Sequence, residues 1–415
     1  MDHAEKVDQD AVLMARTFLL GSGRLETHKL VEAYRVLSVV SPLTYLPKLT
    51  EALLSSAYAM EIRNRPDIQL AFHTEAAETA RRIDAGEPKS TDLLVRALDS
   101  YARKLFEAGR RAEGLAVSEE AAEAGRQGFR RGHVGSPVYG QSRLSVVLAE
   151  EGRHAEAVEL CERAVEATRE EGPDSNYFWP MVRWAAELDA AGRPEDALKA
   201  FTELLDTTRA GFDSGRGALA VLTRTLVHHA GMLDAAGHGA EACETRREAL
   251  AVLTELSATG ERRNPSNIHA WWTTLFALSG RTAEPVPSAT APGPAFGTAF
   301  LQWSPDIQQS YFQGLSDLQE QIAALRESAR SESSRSELVA LHRRFTIRSA
   351  IHAEHRSRRI EEPLRPIFDE GVDLARGLSK EVLGQALTDR AMFLLAVRKY
   401  SEAHDAFREA CAVMN

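Results

Sequence analysis

A glycine-centred breaker returns through this chain at a nearly constant interval, and that regularity constrains the fold more than any other feature. It reads "EAGRRAEGL", "EEGRHAEAV", "AAGRPEDAL", "AAGHGAEAC" and "LSGRTAEPV", with glycines at Gly109, Gly152, Gly192, Gly237 and Gly280 in steps of 43, 40, 45 and 43 residues. Upstream, "GSGRLE" at Gly23 and "IRNRPDIQL" at Asn64 keep the phase. A unit copied this often stacks beside its neighbours and builds one long core in place of several compact ones. Between breakers, Ala, Leu, Glu and Arg recur at i, i+3, i+4 and i+7, and runs of period two are scarce, so the chain reads as all helix. Each breaker joins two amphipathic helices, A and B, into an antiparallel pair, its glycine ending helix A in the left-handed conformation. Pro137, Pro194 and Pro265 suit first-turn positions and mark helix starts.

Composition narrows the function classes. At 44% hydrophobic residues the chain has material for a core, and 50 basic against 60 acidic residues give a formal charge of −10. That balance argues against a general nucleic-acid or anionic-membrane binder. Cys161, Cys243 and Cys411 stand far apart, so neither a disulfide framework nor a zinc site is expected, and no cofactor or metal is assigned. No basic-then-apolar leader opens the chain and no apolar run is long enough to span a bilayer, so a cytoplasmic protein is expected. Arginine outnumbers lysine about five to one, a bias associated with GC-rich bacterial genomes.

Around the breakers the residues resemble the tetratricopeptide repeat, a helix-turn-helix unit with small and large apolar residues at fixed offsets from the turn. About Gly152 stand Leu144, Ser145, Leu148, Ala157, Cys161 and Ala164; about Gly192 stand Trp184, Ala185, Leu188, Ala197, Phe201 and Leu204. Near the C-terminus the same offsets give Ala391, Leu394, Tyr400, Ala403, Phe407 and Ala410. The resemblance implies an all-α solenoid of antiparallel helix pairs, wound as a right-handed superhelix, although the step of about 43 exceeds the family's usual 34. The segment 281–300, with four prolines and no apolar period, reads as a linker or irregular excursion. The expected organisation is therefore a repeat array over 1–280, that segment, and a helical region over 301–415 ending in a terminal repeat. Phe407, Ala410 and Val413 of that repeat need cover, from a second copy of the chain or from the helices of 305–360.

In such arrays the A helices line the concave face. Projecting the phase puts Arg143, Arg183 and His228 in one column and Tyr139, Trp179 and Arg224 one helical turn earlier, with Arg103 extending it upstream. The column would hold an acidic or carboxylate-bearing peptide by charge-assisted hydrogen bonds, with Tyr139 and Trp179 as apolar walls. The competing reading pairs these arginines with Glu150, Glu187 or Asp189 on solvated faces. The family's carboxylate clamp is not reproduced, because its positions carry Ser142, Val146, Val182 and Ala186.

Residues 341–360 hold Arg343, Arg344, Arg348, Arg356, Arg358 and Arg359 against Glu354, a basic helix suited to an acidic partner, to RNA or to the acidic remainder of the chain. His352, Glu354 and His355 lack the HExxH order of a metal site, and "GSGR" at 21–24 lacks the Lys-Ser/Thr ending of a phosphate loop. Catalysis has no visible motif. The expected function is a non-enzymatic binding module for a peptide or partner protein. A peptide- or small-molecule-sensing regulator acting through another protein, and an enzyme with its site in the groove, are the alternatives.

Overall fold

The computed structural model describes residues 8–20, 27–57, 64–171, 177–215, 217–263, 267–328, 331–356 and 359–414. Among these lie eighteen α-helices and no strand. Two compact units divide the chain: Met1–Val147 with Ser304–Asp306, and Leu148–Trp303 with Ile307–Asn415.

The first unit holds α1 (Gln9–Leu20), α2 (Thr27–Val40), α3 (Pro42–Ser56), α4 (Pro66–Arg81), α5 (Ser90–Glu107), α6 (Arg111–Arg130) and the start of α7 (Ser142–Glu150). Consecutive helices pack from α1 through α6, sharing a core of Leu49, Leu53, Ala76 and Leu93, then Leu98, Leu105, Phe106 and Ala121. The second unit continues with α8 (His154–Glu171), α9 (Phe178–Ala190), α10 (Pro194–Asp213), α11 (Leu219–Ala235), α12 (Gly239–Thr259) and α13 (Ile268–Ser279). After an irregular stretch come α14 (Pro305–Ser328), α15 (Glu332–Arg356), α16 (Glu361–Ala375), α17 (Lys380–Ala396) and α18 (Tyr400–Met414).

The breakers work through one local device. Gly109, Gly152, Gly192 and Gly237 have φ of 71, 74, 76 and 80°, the left-handed region where a Cβ is costly. In each the following amide reaches back to helix A: Arg110 to the Leu105 carbonyl, Arg153 to Leu148, Arg193 to Leu188 and His238 to Leu233, at 2.8 to 2.9 Å. This closes the Schellman cap and satisfies carbonyls the helix end would leave open. Small signature residues then let the helices close: Ala102, Ala157, Ala185, Ala197 and Ala242 are all buried. The long period resides in the B helices, with 20, 18, 20 and 21 residues in α6, α8, α10 and α12. The chain is thus an all-α solenoid of helix pairs.

Several expectations need correction. Gly280 has φ −103° and no B helix follows it; a short 3-10 turn, Arg281–Ala283, takes its place. Glycine is needed there for space, since a Cβ would lie 2.3 Å from Ile347 Cδ1. Pro137 opens no helix: residues 137–140 form a turn, and α7 starts only at Ser142, after Gly140 at φ 79°. Pro194 does open α10, while Pro265 and Gly23 lie outside the described residues.

The stretch 281–303 is irregular yet embedded within the second unit. Ala295, Phe296, Thr298, Phe300 and Trp303 are buried, and the Trp303 indole N–H donates to the Ala295 and Thr298 carbonyls. The terminal pair α17–α18 finds its cover inside the unit, where α18 packs on α12 and α17 on α13. Phe407 and Ala410 are buried there, which removes the reason for covering them with a second copy.

Candidate functional site

Local packing decides which projected side chains stay available. In the first unit, Arg103 is exposed on α5 with Glu107 at 3.5 Å. Arg143, at the start of α7, donates from Nε to Asp99 at 3.1 Å. Tyr139 lies in the turn before α7, its hydroxyl donating to Asp92; burial and that carboxylate push its pKa up to about 12. These residues share one repeat face with their acidic partners on α5. Of the acids named as alternative partners, Glu187 pairs with His154 at 2.8 Å and Asp189 with Arg281.

In the second unit, Trp179 is consumed by packing, edge-on to Phe178 and Trp271 at 5.4 and 5.8 Å. It is partly buried, and α13 supplies an aromatic partner that phase counting along one helix does not register. Arg183 is half-buried on α9 beneath the irregular stretch. Gly297, at φ 84°, rests on Val182, Arg183 and Ala186, and a Cβ there would come 2.3 Å from the Ala186 Cβ. Val182 and Ala186 are the positions the family's clamp would use, so this A-helix face holds a segment of its own chain. Further along, the Gly293 amide donates to the Glu150 carbonyl at 2.8 Å. Glu284 anchors the near end, accepting from Arg344 and Arg348 at 2.7 Å. The basic helix thereby spends Arg344 and Arg348 on Glu284 and Arg343 on Asp389. Arg358 lies outside the described residues. His352 and His355 pack against Phe312.

Arg224 and His228, both on α11, do come together, in a cavity of about 300 Å³ among α9, α10, α11, α12, α13, α17 and α18. Its apolar wall includes Phe201, Val227, Leu278 and Phe407. Around the rim the charges pair off: Asp389 accepts from Arg343 at 2.7 Å and from Gln385 at 2.8 Å, and Asp234 pairs with Arg246. Burial, then the neighbouring Arg224, pushes His228 down to about 3, leaving it neutral at physiological pH. Burial pushes Arg224 down to about 10, so it stays cationic, and its Nε has no hydrogen-bond partner. Asp389, Gln385 and Arg246 belong to the site and were not foreseen. Their one signal is local: Gln385 and Asp389 stand four apart in a helix that is otherwise apolar along its last turns.

A second cavity of about 310 Å³ lies among α15, α16 and α17, walled by Val339, Phe368, Val382 and Ala386, and shares Gln385 and Asp389 with the first. Among the described residues no His, Cys, Asp and Glu cluster has metal-binding geometry. The Cys161 thiol is buried, which pushes it up to about 12 and makes it a poor nucleophile.

The turns, small core residues and A-helix faces define a class. Residues 139–210 match the family model described as the tetratricopeptide repeat, and the chain carries repeats of that type. Among solved structures, the chain is similar to the crystal structure of BtubC (BKLC) from P. vanneervenii, at 17% identity and a TM-score of 0.42, over 63% of this chain and 96% of that one. It is also similar to a circular tandem repeat protein with novel repeat topology and enhanced subunit contact surfaces, at 15% identity and a TM-score of 0.19, over 98% and 88%. No curated protein matches the chain. Among the described residues, no helix is long and apolar enough to cross a membrane.

Proposed function

We propose that the protein is a non-catalytic binding module that acts as an adaptor or scaffold in the bacterial cytoplasm, taking an extended segment of a partner protein on its A-helix faces. The carrying observation is that one such face already holds an irregular, turn-containing polypeptide, residues 284–303, by a backbone hydrogen bond from Gly293 to Glu150 and a close glycine seat on α9. Recognition of this kind draws affinity from main-chain bonds and pockets and needs no reactive group. The same segment indicates the partner's chemistry: proline- and glycine-containing, with an acidic anchor like Glu284 and aromatic anchors like Phe296. Arg183 contributes in the second unit. Arg103, Tyr139 and Arg143 give the first unit a charged face for an acidic partner.

The test uses a fluorescent peptide of residues 284–303 and the full-length protein. Glu284→Ala should loosen the resident segment, so the peptide should bind this variant at least several-fold more tightly than wild type, and added salt should weaken it. Absence of saturable binding to both proteins at high micromolar concentration contradicts the reading. For a native partner, Arg143→Ala and Arg103→Ala should each lower affinity in a salt-dependent way.

A further inference from the structure

The cavity at α11 presents a charge imbalance that the peptide-binding reading does not use. Three carboxylates line it and each is already paired with an arginine: Asp234 with Arg246, which also lines the cavity, and Asp389 and Asp189 with Arg343 and Arg281 from outside the lining. Among the described residues Arg224 makes no ion pair of its own, although it is only 5% exposed, and the carboxylate that acts on it, Asp389, is already held by Arg343. A buried guanidinium that shares its counter-charge with a second arginine is under-compensated, so an added anion would stabilise it. The space beside it is large enough for a small molecule, and its wall sets apolar Phe201, Val227, Leu278 and Phe407 beside the paired charges of the rim. Neutral His228, tilted against the Phe201 ring at 4.8 Å, adds a polar edge but no charge.

We propose that this cavity binds a small organic acid carrying one negative charge and a compact apolar body, its carboxylate seated on Arg224. One unpaired cation calls for one negative charge, since a dianion would leave an excess beside Asp389 and Asp234. The apolar wall calls for hydrocarbon behind the carboxylate. Because α17 and α18 line the same cavity, the acid would also bridge the terminal helix pair to α11. This ligand site adjoins the face that holds residues 284–303 at Ala186, and the experiments below test the two independently.

Hexanoate and its neutral counterpart hexanamide serve as probes in calorimetric titration of the full-length protein. Hexanoate should bind saturably and hexanamide at least about tenfold more weakly. Arg224→Met keeps the bulk and removes the charge, so it should abolish hexanoate binding while leaving the unliganded melting temperature at or above wild type. Gly231→Leu is the second variant. Gly231 lines the cavity, a Cβ there meets nothing within 4 Å, and the change favours the helix. It should fold and exclude hexanoate by filling the space. Equal binding of acid and amide, retention of hexanoate by both variants, or binding of a free-acid tripeptide with none of hexanoate would each overturn the proposal. If the cavity fails while the 284–303 peptide still binds Glu284→Ala protein, the peptide-binding reading survives on its own.

Discussion

At the residue scale, two turn glycines separate backbone cost from packing cost. Gly192 and Gly152 share the left-handed conformation, but a Cβ at 192 meets nothing within 4 Å, whereas one at 152 would lie 2.2 Å from the Pro287 carbonyl oxygen. Gly192→Ala should therefore cost about 1 kcal/mol of stability from conformation alone. Gly152→Ala should cost clearly more, because the resident segment must move as well. Urea unfolding of the two variants checks the order, and equal losses would mean that the segment does not lie against that turn. Histidines give a second residue-scale expectation. Burial holds His73 and His342 down to about 4 and His228 to about 3, each below the ordinary 6.5. The unfolded chain therefore takes up these protons first. Stability should be full above pH 6.5 and fall as pH drops from there toward 4, by up to about 1.4 kcal/mol per pH unit for each histidine. Urea midpoints between pH 7 and 5 measure this, and His342→Gln should shallow the slope. A flat profile would contradict the buried, neutral assignment.

At the scale of elements, the irregular stretch 281–303 is held by buried side chains between Ala295 and Trp303 and, at its near end, by Glu284. Its side chain is 5% exposed, and it neutralises Arg344 and Arg348, which are 23% and 11% exposed. Removing it leaves two cations facing each other with little water, a loss of about 3 kcal/mol by analogy with other buried pairs. Glu284→Ala should open residues 285–292 to a nonspecific protease while the helices on either side remain intact. Cleavage no faster than in wild type would show that the anchor is elsewhere. This element also marks where sequence reasoning stops. Each turn glycine was legible because its requirement is met within six residues. Proline content likewise announced that 281–300 is irregular. The destination of that stretch was not legible, since it depends on Ala186 being small and on the Glu150 carbonyl accepting from Gly293, both more than a hundred residues away.

For the chain as a whole, the repeat carries the fold, and the departures from it carry the site. Phase counting projected Arg224 and His228 as members of an open column, and both line the cavity at α11. The return of α17 and α18 against α13 and α12 encloses them instead, and no local pattern encodes that return. The packing of Trp179 was not legible for the same reason, its partner Trp271 lying on another helix pair. The central claim is that the A-helix face of the second unit holds polypeptide. Hydrogen exchange followed by mass spectrometry over residues 287–303 tests it most directly. The account predicts slow exchange at Gly293 and through 295–303, approaching that of α9. Complete exchange within seconds, as in a solvated linker, would contradict it.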